Sequence, residues 1–364
     1  MPLQLAGWNQ FWAQQFSDFA EKGLQPARVL AQQRGSYLLW MAAGEVNGEI
    51  AGALLYRAEP SELPVTGDWV AVRQHSPADV AIITDVLPRK TKFSRKTSGR
   101  ASEEQVIAAN IDLLLVVCGL DQDYNLRRLE RYMVAARQSG TDVVLVLNKA
   151  DLCADVETRL REVKAIAANA AVVAISATTD AGLIPSYIAP GQTAALVGSS
   201  GAGKSMIVNQ LLGRTVQDTQ PTRAHDSRGR HTTTHRELFF LPNGGLILDN
   251  PGMRELQLWA GDLGHSAASG AFCFSSPFEQ AFPDIEGLPA QCAFRDCSHR
   301  TEPGCAVQNA LASGMIDDAR WRSYLKLRRE FRHAAVESDA NLRRTEKQRF
   351  KKACKELKRN PKRK

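Results

Sequence analysis

Three features predict a multidomain α/β protein. Short β-prone runs lie near the N-terminus, unbroken apolar runs alternate with helical segments in the middle, and cysteine and histidine cluster toward the C-terminus. The 364 residues allow two or three domains at about 150 residues each, every one large enough to bury a core. Apolar residues at 44% and charged residues at 23% exclude disordered and collagen-like chains. No apolar run approaches the ~18 residues of a membrane span, and residues 1–16 lack the basic start and apolar stretch of a signal peptide. A cytoplasmic protein with no membrane association is expected.

The net charge of +7 is uneven. Residues 340–364 hold 12 Lys and Arg against 2 acidic residues, so residues 1–339 carry 34 basic against 37 acidic. The basic character therefore belongs to a tail, residues 336–364, suited to a polyanion. Seven cysteines make an odd number, and Cys118, Cys153, Cys273 and Cys354 stand alone. A disulfide framework is disfavoured.

The first segment, residues 1–35, is read as a helical extension. Trp8, Phe11, Trp12, Phe16 and Phe19 recur at helical spacing up to Gly23, and that aromatic face is expected to pack on the chain's own body. Residues 36–98 change to short β-prone runs (37–41, 68–72, 81–86) punctuated by Gly, Asn and Pro, a pattern and size that fit an OB-type five-stranded barrel. The end of this stretch, RKTKFSRKTSGR at 89–100, has two readings: a solvated linker, or a phosphate-contacting edge on which Phe93 stacks.

From Asn110 the alternating pattern predicts a parallel sheet wrapped by helices over residues 99–260, with strands at 111–117, 143–147, 171–175, 193–197 and 246–248. Function in such sheets sits at the carboxyl ends of the strands. GSSGAGKS follows the strand at 193–197 and precedes a helix-compatible run, the full context of a phosphate-binding loop. Gly198, Ser199, Ser200, Gly201, Ala202, Gly203, Lys204, Ser205 and Met206 are expected at the nucleotide. Their backbone N–H groups would surround the phosphates at a helix N-terminus, Lys204 would reach the β and γ phosphates, and the Ser205 hydroxyl would ligate Mg²⁺.

NKAD follows the strand at 143–147. The Asp151 carboxylate can accept from guanine N1–H and N2–H₂, whereas adenine presents an acceptor and no amino group there, so GTP is the expected substrate. Lys149 would lay its stem on the base, Asn148 would tie this loop to the phosphate loop, and Ser176 and Ala177 would buttress the base. DNPG follows the strand at 246–248, so Asp249 would hold Mg²⁺ through water and Gly252 would meet the γ-phosphate. The polar stretch 213–236 ends in GRHTTTH, where Thr232 or Thr233 would complete the Mg²⁺ shell as an order–disorder switch.

Most GTPases place the phosphate loop before the guanine-reading motifs. Here it comes after them, so the domain is circularly permuted, as domains with neighbouring termini permit. Residues 261–335 then carry Cys292, Cys297, His299 and Cys305, spaced C-x4-C-x-H-x5-C. Three thiolates and an imidazole match a closed structural Zn²⁺ site, one ion per chain, in a module continuing as an Arg- and Lys-rich helix.

With these motifs and NLRRLERY at 125–132, the chain resembles the ribosome small subunit-dependent GTPase family, RsgA, over residues 1–335. The resemblance implies an N-terminal OB-fold, a circularly permuted P-loop GTPase domain and a C-terminal, mostly helical zinc domain. It also implies GTP hydrolysis activated by the small ribosomal subunit, and a late maturation role through contact with ribosomal RNA. A monomer is expected. Asn250 replaces the more usual Thr of that motif. Met253 stands where Ras-like proteins carry a water-orienting Gln, and a thioether cannot both donate to and accept from water. His231 is the candidate for that role, with His235 the alternative. A rival reading makes the chain an RNA-binding assembly chaperone whose nucleotide site is mainly structural.

Overall fold

The computed structural model describes residues 2–33, 35–96, 104–179, 181–216, 236–249 and 277–338. Three short helices, α1 (Pro2–Leu5), α2 (Gln10–Gln15) and α3 (Ser17–Glu21), open the chain. Gly23, in the left-handed region at φ 71°, turns it away from α3. A strand, β1 (Gln25–Gln32), then begins inside the segment predicted as a helical extension. Its residues 27–31 are buried without alternation, so no period-2 signal marks it. The aromatic face does pack on the chain's own body: Trp12 and Phe16 are buried with Trp69 and Leu87, and the Trp8 and Trp69 rings lie 4.8 Å apart.

β1 is followed by β2 (Tyr37–Met41), β3 (Gly44–Ile50), the helix α4 (Gly52–Arg57), β4 (Trp69–Arg73) and β5 (Ala81–Val86). The order is β1-β2-β3-β5-β4, and β4 pairs back onto β1. All these pairs are antiparallel except β3–β5. A five-stranded ring of this order, with a helix between its third and fourth strands, is an OB-type barrel. Val29, Leu39, Val70, Val72 and Ile83 pack in its core.

The basic run after β5 is structural where it is described. Arg89 is paired with the buried Asp68 at 2.8 Å and donates to the carbonyls of Ser61 and Leu63. Phe93, on β6 (Lys92–Lys96), is 3% exposed and cannot offer a face to a base. The stacking reading of Phe93 is thereby overturned, since burying the ring removes more apolar surface from water than an exposed stacking platform would. The solvated-linker reading fails equally at Arg89; residues 97–103 lie outside the described residues. β6 pairs with β7 (Glu104–Ala109) as a two-stranded sheet.

The remaining strands are β8 (Leu113–Gly119), β9 (Asp142–Asn148), β10 (Ala171–Ala174), β11 (Thr193–Val197), β12 (Glu237–Phe240) and β13 (Leu246–Asp249). They run in the order β10-β9-β8-β11-β13-β12. Every neighbouring pair is parallel except β12–β13. β11 sits mid-sheet although β8, β9 and β10 all precede it in the chain, which is the permuted topology. The helices α5 (Leu126–Gln138), α6 (Val156–Ile166) and α7 (Lys204–Leu212) connect these strands.

Barrel and GTPase sheet belong to one compact unit, residues 1–94 and 104–256. β12 bridges to β1 at Ala31 and Glu237. Arg28 of β1, 2% exposed, donates to Thr193 Oγ1 at 2.7 Å and to the Asn110 carbonyl at 3.2 Å.

A second unit holds residues 95–103 and 257–364. Its described part is helical: α8 (Pro277–Ala281), α9 (Pro283–Glu286), α10 (Ala306–Ala312) and α11 (Asp318–Ser338). Phe278, Phe282, Ile285, Tyr324 and Leu327 are buried there, and Arg320 holds Asp284 through two bonds of 2.7 Å. No helix among the described residues is long and apolar enough to cross a membrane.

Candidate nucleotide site and metal centre

The GSSGAGKS stretch links the end of β11 to α7, and its backbone explains its glycines. Gly198, Gly201 and Gly203 all have positive φ, at 149°, 81° and 95°. A Cβ on Gly198 would lie 2.1 Å from the Val117 carbonyl oxygen, and one on Gly203 would lie 2.1 Å from Asn148 Nδ2. Only glycine permits both the conformation and the approach. Lys204 folds back so that its Nζ donates to the Gly198 and Ser199 carbonyls at 2.8 and 2.6 Å. Ser205 follows it in the first turn of α7, and Met206 packs against the sheet core. Ser200 and Gly201 are exposed, while Ala202 is buried.

The guanine-reading residues converge on this loop. Asn148, at the end of β9 and 2% exposed, donates from Nδ2 to the Ala202 carbonyl at 2.8 Å. Its Oδ1 accepts from the Ala177 N–H at 3.0 Å. One buried amide thus joins the phosphate loop, NKAD and the loop after β10. Asp151 is exposed and accepts from the Ser176 hydroxyl, and the Ala150 N–H bonds the Ile175 carbonyl at 3.0 Å. Lys149 is left-handed at φ 64°, and its Nζ donates to Asp121 at 2.6 Å.

Asp249 ends β13 opposite Glu237. Burial pushes its carboxyl up to about 6, the Lys204 charge pulling it down and that of Glu237 adding to the rise. An oxygen-only pair, the Ser205 hydroxyl and the Asp249 carboxylate, suits Mg²⁺. His231, Thr232, Thr233, His235 and Gly252 lie outside the described residues, as does the tail from residue 339. Sequence reasoning missed Asp121 and Asp123, which lie just beyond β8. The Ser199 hydroxyl donates to Asp123. Two acids directly after an apolar strand were the available signal.

In the second unit Cys292, Cys297, His299 and Cys305 bring four ligand atoms within 4.8 Å of one another. Cys292 Sγ and Cys305 Sγ are 4.0 Å apart, and each lies 3.5 Å from His299 Nδ1. A tetrahedral ion with ordinary Zn–S and Zn–N bonds requires separations of about 3.8 and 3.5 Å, so the donor set and spacing fit Zn²⁺. Partial burial raises the Cys292 thiol, but the N–H groups of Ala306 and Val307 at the start of α10 outweigh it and hold it below the usual range, whereas burial and the neighbouring Cys305 and Cys292 push the Cys297 thiol up to about 11. His299 is left-handed at φ 58°, and Gln308 Nε2 bonds its carbonyl at 2.7 Å. Such support orients a ligand beyond the coordination shell.

The sequence model of the RsgA GTPase family matches residues 86–259. The small ribosomal subunit biogenesis GTPase RsgA of Opitutus terrae is 45% identical over 363 residues, 97% of this chain and 96% of that one. The protein of that name from Leptospira interrogans is 43% identical over 92% of this chain and 90% of its own. Among solved structures, YjeQ from Thermotoga maritima superposes with a TM-score of 0.60 at 22% identity, covering 85% of this chain and 98% of that one. YloQ, described as a circularly permuted GTPase, gives 0.58 at 21%, covering 85% and 96%. These two likenesses speak to the fold, and the fold is the permuted one derived above. Identity at this level along nearly the whole length of both chains is decisive: the protein belongs to the RsgA GTPase family and is a GTP hydrolase.

Proposed function

We propose that this GTPase acts in late maturation of the small ribosomal subunit, contacting ribosomal RNA and being activated by the subunit. The observation that carries the nucleotide half is the Asn148 amide, which fixes phosphate loop and guanine loops together at the carboxyl edge of the sheet. Asp151, steadied by Ser176, pairs with the guanine N1–H and N2–H₂ edge, Lys149 covers the base, and Ala177 backs it. Lys204 leaves the carbonyls of Gly198 and Ser199 for the β and γ phosphates. Ser205 and Asp249 would hold Mg²⁺, which would supply charge neutralisation at the phosphates. Thr232 or Thr233 and the Gly252 N–H sense the γ-phosphate. His231, or failing it His235, orients the water whose oxygen bonds to the γ-phosphorus as the bond to the β–γ bridging oxygen breaks, giving GDP and phosphate.

Zn²⁺ on Cys292, Cys297, His299 and Cys305 is the structural staple of the second unit. The basic tail at 340–364 adds salt-sensitive affinity for RNA. The protein is read as a cytoplasmic monomer. GTP turnover measured with and without purified small subunits tests the proposal, acceleration by the subunit being the expected result. Turnover indifferent to subunits removes the ribosomal half, and absent turnover favours the RNA-binding chaperone.

A further inference from the structure

The loop leaving β8, residues 119–125, belongs to none of the nucleotide motifs, yet it touches two of them. Asp121 Oδ2 accepts from Lys149 Nζ at 2.6 Å, and its Oδ1 accepts from the Asp123 N–H at 3.1 Å. Asp123 accepts the Ser199 hydroxyl and, at 3.4 Å, the Gly119 N–H on Oδ2. Its Oδ1 takes Arg128 Nη2 at 2.6 Å. Asn125 caps α5 by accepting the Arg128 N–H at 3.0 Å, which anchors the far end of the loop. The topology dictates the reach: β8 lies between β9, which delivers Lys149, and β11, which delivers Ser199.

Lysine ammonium groups are strongly hydrated and their stems carry large rotamer entropy, so a free Lys149 would lose both on covering a base. A carboxylate that already holds the ammonium leaves the methylene stem in place before nucleotide arrives. Asp121 is suited to this. Partial burial raises its carboxyl, but the bond and charge of Lys149 and the Asp123 N–H outweigh that and hold it below the usual range.

We propose that Asp121 is a positioning residue for guanine recognition, acting through the Lys149 stem, while Asp123 positions the phosphate loop through Ser199. One loop thereby sets the spacing between base reader and phosphate cradle. This rests on the guanine-site reading of Lys149 and Asp151.

The test uses the full-length protein with GDP and inorganic pyrophosphate as probes, each displacing a fluorescent GDP derivative. Asp121→Asn can keep the acceptor for the Asp123 N–H while losing the charge and the acceptor for Lys149 Nζ. It should weaken GDP about fivefold, as expected for an ion pair whose side chains are 20% and 30% exposed, and leave pyrophosphate unchanged. In a Lys149→Met background, which retains an apolar stem, Asp121→Asn should have no further effect. Asp123→Ala should weaken GDP and pyrophosphate by a common factor. Unchanged GDP affinity in Asp121→Asn, equal loss of both probes in it, or an undiminished effect beside Lys149→Met would overturn the proposal. A parent protein that fails to bind GDP would instead overturn the guanine-site reading, and this inference with it.

Discussion

Replacing Asn148 by alanine should disable the nucleotide site without touching any nucleotide-binding atom. Asn148 is 2% exposed, and its two partners, Ala177 and Ala202, are 3% and 0% exposed. The substitution therefore strands the Ala177 N–H and the Ala202 carbonyl away from water, each at about 1–3 kcal/mol. The loops at either end can relax toward solvent, so we expect the low end of the summed range, about 2–3 kcal/mol in total. Loop relaxation moves the same energy into nucleotide binding, because GDP must reorder what the amide no longer holds. A loss of 2–3 kcal/mol corresponds to roughly 30- to 150-fold in affinity. Calorimetric titration with GDP measures it, and urea unfolding of the nucleotide-free protein reports the remainder. Asn148→Asp should be no milder, since it restores the acceptor for Ala177 but sets a carboxylate against the Ala202 carbonyl. GDP affinity within twofold of the parent, with an unmoved unfolding midpoint, would refute the bridging role.

Gly203→Ala should weaken GDP at least tenfold, combining left-handed strain of about 1–2 kcal/mol with a Cβ 2.1 Å from Asn148 Nδ2. In an Asn148→Ala background the clash disappears and the penalty of Gly203→Ala should shrink toward strain alone, a coupling that binding titrations on the double variant would reveal. The Asp249 carboxyl titrates near 6, a value raised by burial. Its contribution to nucleotide-free stability is present at acid pH and lost as pH rises through 6. The Mg²⁺-dependent part of GTP affinity runs oppositely, falling about tenfold between pH 7.5 and 5 as the carboxylate is protonated, and Asp249→Asn should abolish that step. Zinc analysis should return one ion per chain, and Cys292→Ser should lower it while sparing GDP binding by the first unit; a full complement of zinc in that variant would count against the assigned ligands.

What was legible in the sequence follows from where chemistry forces residues to be contiguous. A phosphate cradle needs glycines, a lysine and a hydroxyl within one turn, so residues 198–205 announce themselves, as do the three cysteines and the histidine clustered within 292–305. Asp121 and Asp123 act through neighbours supplied by other strands. Their roles depend on β8 lying between β9 and β11, and no local spacing encodes strand order. The long apolar strands of the central sheet were legible because parallel strands buried on both faces read as unbroken runs. β12 was not, being four residues long and abutting a polar segment.

Of the strands that escaped prediction, β1 and β12 are the pair that joins barrel to GTPase sheet, and they escaped for related physical reasons. A strand covered on both sides loses the alternation that betrays a surface strand, and a strand held by long-range pairing can be very short. The Thr66 hydroxyl donates to the Arg236 carbonyl at 3.4 Å, Glu237 bridges to Ala31, and Phe240 packs its ring 4.5 Å from that of Trp40. Arg236 is also the residue at which the proposed switch segment rejoins the described fold. Basic character misled in the same region: Arg89 reads as solvated in a Lys- and Arg-rich run, yet it serves the buried Asp68. The barrel and the GTPase sheet are thus joined through the buried Arg28 and the bridge between β1 and β12.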